Sequence, residues 1–137
     1  KEIELKSKKS IVEIFEEKGE TYFREIEEKI CLEILTLDNC VISLGGGSII
    51  NKKIRKIIEQ NSYSIYLKVK LKNLLNRLKS SNKRPLLKNN ISRRETLENL
   101  YNTRRIFYEK ADLIINNDND KFQVLKTIKS ELNLYAK

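Results

Sequence analysis

No histidine, methionine or tryptophan occurs among the 137 residues, and there is one proline, Pro85. Without histidine the commonest general base is missing, so proton transfer falls to carboxylates, lysines or water. Two cysteines, Cys31 and Cys40, and no histidine cannot supply the four ordinary ligands of a zinc site. Nothing in the sequence suggests secretion, so free thiols are expected. No run approaches the roughly 20 apolar residues of a membrane span. Lys1–Ser10 is charged throughout and does not read as a signal peptide. A chain that opens Lys-Glu-Ile-Glu and contains no methionine reads as a piece of something longer.

What is present is charge and isoleucine. Apolar residues make up 39% and charged ones 34%, enough for one core under a heavily charged surface. Lysine plus arginine outnumber aspartate plus glutamate by 28 to 19, for a net charge of +9. That balance suits an anionic partner. Much of the lysine is scattered along helices as solvated surface, which leaves the arginines to consider.

The length suits a single domain over 1–137. Ser10-Ile-Val-Glu13 is a capping box that predicts a helix to Lys18, stopped by Gly19. Thr21–Leu37 is the next helix, with Phe23, Ile26, Ile30 and Ile34 along one stripe. Cys40–Leu44 reads as a buried strand running into Gly45-Gly46-Gly47. Helices are predicted over 52–60, 71–79, 92–110 and 121–134, and strands over 64–69 and 113–116. Ser80–Ser92 is polar and basic and reads as a loop. Strands alternating with helices predict an α/β fold with a parallel sheet and ligands beyond the strands' carboxyl ends.

Several residues invite a chemical reading. Three glycines after a strand permit positive φ and close approach of an anion to the backbone, or form a simple flexible turn. They are not a Walker A loop, because no Gly-Lys-Ser/Thr comes after them. Arg24 has Glu27 and Glu28 three and four positions on, as in a helix-surface ion pair. Phe15 and Phe23 suit a core or a pocket edge. Arg84-Pro85-Leu86-Leu87 suits a closing flap or a loop packed by its leucines. Arg104 and Arg105 point about 100° apart on a helix, so only one faces a given site. Arg104 shares a face with Tyr108, and its planar fork suits a carboxylate or phosphate.

The order Phe-Arg-x-x-Glu, strand, Gly-Gly-Gly, Arg-Pro-Leu-Leu, Arg-x-x-x-Tyr resembles the shikimate kinase family along the whole chain. The resemblance implies a three-layer P-loop kinase fold acting on shikimate and ATP with Mg²⁺. The reaction would move the γ-phosphate to the 3-hydroxyl of shikimate, in chorismate and aromatic amino acid synthesis. Arg24 and Arg104 match the arginines that clasp the substrate carboxylate. Gly46, with Gly45 and Gly47, matches the backbone that contacts the hydroxyls, and Glu27 the glutamate supporting that site. Phe15 and Phe23 match the apolar wall. Arg84 matches the lid arginine that reaches the ATP phosphates and is the expected catalytic residue. Arg77 matches an arginine near the adenine, and Asp118, Asn119 and Asp120 fall at the adenine loop, which lacks the usual arginine and proline.

The same resemblance divides the domain into substrate-binding helices at about 1–37, a sheet core at 38–79, a lid at 80–92 and C-terminal helices with the adenine loop at 93–137. It also implies what these residues lack: the Walker A loop, the Asp-x-Asp pair and most magnesium ligands. The first strand–helix–strand unit would thus lie before Lys1, with its strand between 40–44 and 64–69. The expectation is a cytoplasmic monomer, bound to neither nucleic acid nor membrane, inactive in this form. The alternatives are a non-catalytic binding relative and a kinase of another small hydroxy acid such as gluconate.

Overall fold

The computed structural model describes residues 1–78, 93–118 and 120–135. Among the described residues six α-helices and two strands occur in this order: α1 (Glu2–Ser7), α2 (Ile11–Ile34), α3 (Lys52–Asn61), β1 (Ile65–Lys68), α4 (Leu71–Leu78), α5 (Arg93–Tyr108), β2 (Leu113–Asn116) and α6 (Lys121–Tyr135). A 3₁₀ turn, Ser48–Ile50, precedes α3. The fold is α/β with a parallel sheet, as the alternation predicts. Ser92, where the helix over 92–110 is expected to begin, lies outside the described residues, as do Arg84 and the expected lid.

The start of α2 is dictated by its sequence. Ser10 Oγ accepts from the Glu13 amide at 3.2 Å, and the Glu13 carboxylate accepts from the Ser10 amide at 2.7 Å. Two otherwise orphaned N–H groups are thereby satisfied. Gly19 breaks the helix internally at φ 79°, ψ 177°. Only glycine occupies that region without strain. The break brings Phe15 back onto Phe23, with ring centroids 4.7 Å apart. Space around the missing Cβ is open, so substitution strains the torsion rather than causing a clash. Gly19→Ala is expected to cost about 1–3 kcal/mol, read as a lowered thermal midpoint.

β1 and β2 pair in parallel from Ile65↔Leu113 to Lys68↔Asn116. A clip sets this register at the entry to the sheet. Asp112 Oδ2 accepts from the Ser64 amide (2.7 Å) and hydroxyl (2.6 Å), while the Asp112 amide donates back to Ser64 Oγ (3.1 Å). The Ser64 hydroxyl and then its amide hold the Asp112 carboxyl below the ordinary 3.8. A depressed folded value gives stability that is fully present above 3.8 and lost as pH falls below 3.8 through the lower pKa of the folded state. Asp112→Asn is therefore expected to lower the melting temperature at neutral pH, and the gap from the parent should close in acid. Parallel melting curves across that range check it.

The segment 40–44 is not a strand. No ladder bond ties it to β1 or β2 among the described residues, and a strand exists only through such a partner. Nor is it buried on both sides. Val41 and Ser43 face outward, while Ile42 and Leu44 pack on a core of Cys31, Leu35, Ile54 and Ile58. Asn51 starts α3 by accepting from the amides of Lys53 (2.8 Å) and Ile54 (3.2 Å). Ile54 and Ile58, one turn apart, then bury against α2. Burial of each such side chain contributes about 1.5–3 kcal/mol. The glycine tripeptide is thus held between α2, α3 and, through Tyr108, α5.

Candidate functional site

The site is assembled from α2, the glycine turn and α5. On α2, Glu27 is 5% exposed, an unusual depth for a carboxylate. Arg24 Nη1 donates to Glu27 Oε2 at 2.5 Å, and the Ser48 hydroxyl donates to Oε1 at 2.8 Å. Arg24 Nη2 and Nε both donate to Glu20 Oε1, at 2.9 and 3.2 Å. Burial opposes the Arg24 charge, but the bonds to Glu27 and then Glu20 outweigh it and raise the guanidinium above its ordinary value. The expected ion pair with Glu27 is present. Glu28 turns away and accepts from Asn51 and Lys53 instead, each at 2.5 Å.

The three glycines are required for room, not for positive φ. Gly19 is the positive-φ glycine, and Gly47 has φ −91°. A Cβ on Gly45 would meet Glu27 Oε1 at 2.9 Å, and one on Gly47 would meet Arg24 Nη2 at 2.7 Å. On Gly46 it would meet the Tyr108 hydroxyl at 3.1 Å and Arg104 Nη1 at 3.6 Å. Arg24 and Arg104, eighty residues apart, thus reach the same tripeptide. Phe23 is buried, pairs with half-buried Phe15, and lies under the Arg24 guanidinium at 5.2 Å.

On α5, Tyr108 donates to the Gly46 carbonyl at 2.5 Å and stacks on Tyr66 of β1, centroids 5.1 Å apart. Burial, then the neighbouring Tyr101 and Tyr108 phenols, push Tyr66 up to about 12. Arg105 points away and pairs with Glu109 at 2.8 Å on the exposed face. Arg104 Nε is buried and has no hydrogen-bond partner among the described residues. A buried unpaired guanidinium N–H costs free energy unless something accepts from it.

A second group gathers beyond the carboxyl ends of β1 and β2. Arg77 Nη2 donates to the Asn117 carbonyl at 2.7 Å. Asp118 accepts from the Lys70 amide (3.0 Å) and Asn73 (2.8 Å), and the Lys70 N–H above all lowers its pKa. Asp120 accepts from the Phe122 amide at 3.0 Å at the start of α6. Asn119 lies outside the described residues. An open cleft of about 720 Å³ adjoins this group, lined in part by Lys68, Lys70, Tyr101, Asn102 and Asp118.

Sequence reasoning missed Ser48, Glu20 and the bond from Tyr108. A serine between three glycines and two isoleucines was the one available signal for Ser48.

The sequence model of the shikimate kinase family matches residues 1–133. The chain belongs to the shikimate kinase family. It is 44% identical over 122 residues to the shikimate kinase of Dictyoglomus turgidum, covering 85% of this chain and 69% of that protein. With the shikimate kinase of Bartonella henselae it shares 36% over 124 residues, covering 90% of this chain and 59% of that one. The chain therefore spans about three-fifths of the Bartonella protein's length. Shikimate kinase from Acinetobacter baumannii in complex with shikimate superposes with a TM-score of 0.90 at 28% identity, covering 99% of this chain and 76% of that chain.

Shikimate kinases use ATP as cosubstrate with Mg²⁺. The acids of the two groups described above already have partners. No three metal-ligating side chains cluster among the described residues. Glu27 and Glu20 carry Arg24, and Asp118 is bonded to Lys70 and Asn73. No described helix is long and apolar enough to cross a membrane.

Proposed function

We propose that this chain is the substrate-gripping part of an ATP:shikimate 3-phosphotransferase serving chorismate and aromatic amino acid synthesis. The observation that carries the reading is the Arg104 guanidinium: its Nη1 reaches the glycine turn that Arg24 also reaches, and its Nε is buried with no hydrogen-bond partner among the described residues. A carboxylate accepts in parallel from such a fork and relieves the orphaned donor. Arg24 is already matched by two carboxylates, so Arg104 supplies the charge that holds the acid. Gly46 leaves room for ring hydroxyls at its backbone, and Glu27 fixes Arg24. Phe15 and Phe23 wall the apolar side of the ring.

On the nucleotide side, Arg77 with Asp118, Asn119 and Asp120 borders the adenine, and Arg84 in the lid reaches the transferring phosphate. Rate acceleration then rests on positioning and charge neutralisation rather than on a covalent intermediate. Magnesium bound with the nucleotide would be held mainly by groups outside these residues, with the phosphates supplying part of its coordination. The 137 residues contain no Gly-Lys-Ser/Thr phosphate loop, so this polypeptide alone does not turn over. The segments at about 1–37, 38–79, 80–92 and 93–137 act as substrate helices, sheet core, lid and adenine side of one cytoplasmic, monomeric unit.

The test is coupled measurement of ADP release by the full-length protein with shikimate, with gluconate and with neither. Saturable release with shikimate alone is expected, and none from the 137-residue polypeptide. Equal release with gluconate names a different kinase. Saturable shikimate binding with no release under any condition names a non-catalytic relative.

A further inference from the structure

We infer that Arg55 is a positioning residue for the carboxylate grip, a reading that rests on assigning that grip to Arg24 and Arg104. Arg55 lies in the first turn of α3, yet its side chain reaches two other elements. Nη1 donates to the carbonyls of Ile49 (2.8 Å) and Ile50 (2.6 Å), the end of the turn that starts just after Gly47. Its guanidinium carbon sits 4.2 Å over the ring of Phe107 on α5. Phe107 lies between the site residues, one position before Tyr108 and three after Arg104. One planar group thus touches both banks of the site, the glycine turn and the arginine helix.

The chemistry of the contacts argues for positioning rather than for surface charge pairing. The acceptors are two main-chain carbonyls and a π face. Arg105, by contrast, spends its charge on Glu109 in solvent. A staple of α3 to its own entry turn needs only the two carbonyl bonds. The stacking on Phe107 is the part that crosses to α5. Together with the Tyr108 hydroxyl on the Gly46 carbonyl, it gives the α5–turn gap two struts, and that gap sets how far Arg104 stands from the Gly46 backbone. A lysine at position 55 keeps the charge but lacks the planar fork that bonds in its plane and stacks on its face. Displacing a gripping group by a fraction of an ångström is felt in substrate binding before it is felt in folding.

The experiment uses steady-state kinetics of the full-length protein carrying Arg55→Lys, Phe107→Leu or both, with Arg104→Ala as control. Phe107→Leu keeps both carbonyl bonds and removes only the crossing contact, so it remains informative if the Arg55 variant folds poorly. Each single variant is expected to raise KM for shikimate about tenfold while KM for ATP stays within about twofold. Melting temperatures should stay close to the parent's. The double variant should be no worse than the worse single one, because both remove one strut. Unchanged shikimate KM in Phe107→Leu while Arg104→Ala retains its defect overturns the inference and leaves Arg55 as a fold staple. A parallel rise in both KM values with a lowered melting temperature overturns it too. If Arg104→Ala is itself without effect, the underlying grip assignment falls first.

Discussion

Arg104→Ala in the full-length protein is expected to lower kcat/KM for shikimate by about 10²–10³, because truncating one member of a desolvated charge pair costs about 2–5 kcal/mol. KM for ATP stays within about threefold in the same variant. The asymmetry comes from geometry. Arg104 Nη1 lies near Gly46, its Nε is buried without an acceptor, and no ion pair with a carboxylate forms at its guanidinium among the described residues. Its charge is therefore available to a ligand. Arg104→Lys should recover little, since a point charge does not reproduce a bidentate fork. Arg24→Ala should behave differently, impairing substrate binding but also leaving Glu27 and Glu20 without their cation. Initial rates over a grid of both substrates separate these cases. An Arg104→Ala enzyme with parental shikimate KM and turnover would remove the basis of the proposed function.

Glu27→Ala has the largest expected effect on stability, about 3 kcal/mol, because removing one side of a buried pair strands the other. Glu27 bonds Arg24 through one oxygen and Ser48 through the other, and Ser48 is 1% exposed. Its loss leaves a buried hydroxyl and a half-buried guanidinium short of acceptors at once. A fall in melting temperature of about 10 °C is expected, with a rise in shikimate KM as Arg24 loses one of its two anchors. Glu27→Gln keeps an acceptor for Ser48 but not the charge, and should fall between parent and alanine variant. A Glu27→Ala protein that melts within about 2 °C of the parent would show the pair to be energetically idle.

Local chemistry made much of this molecule legible in advance. The capping box at Ser10, the break at Gly19, the buried faces of α2 and α3 and both strands are set by residues a few positions apart. The meeting of Arg24 and Arg104 at the glycines was legible only because several weak motifs fell in one family's order. Periodicity by itself left Arg24 as a surface ion pair. The strand expected over 40–44 failed because a short apolar, β-branched run favours extended backbone but does not supply a ladder partner. The glycines were read for positive φ and for close approach of an anion, whereas it is the side chains of Glu27, Arg24 and Tyr108 that come close enough to need the space a Cβ would fill. Asp112 with Ser64 and Arg55 on Phe107 were invisible, and Ser48 carried only a faint signal, because each bond joins elements distant in sequence or depends on where a turn aims a carbonyl.

The glycine turn is moored unevenly. Downstream it is tied by directional bonds: Ser48 to Glu27, Asn51 at the head of α3, and Arg55 on Ile49 and Ile50. Upstream, Ile42 and Leu44 hold it by apolar packing on the α2–α3 core. Packing fixes depth well and sliding along the chain poorly. The geometry of the proposed grip is therefore inherited from the residues on the C-terminal side of the tripeptide, and small shifts of 40–44 are expected to be absorbed before they reach the arginines.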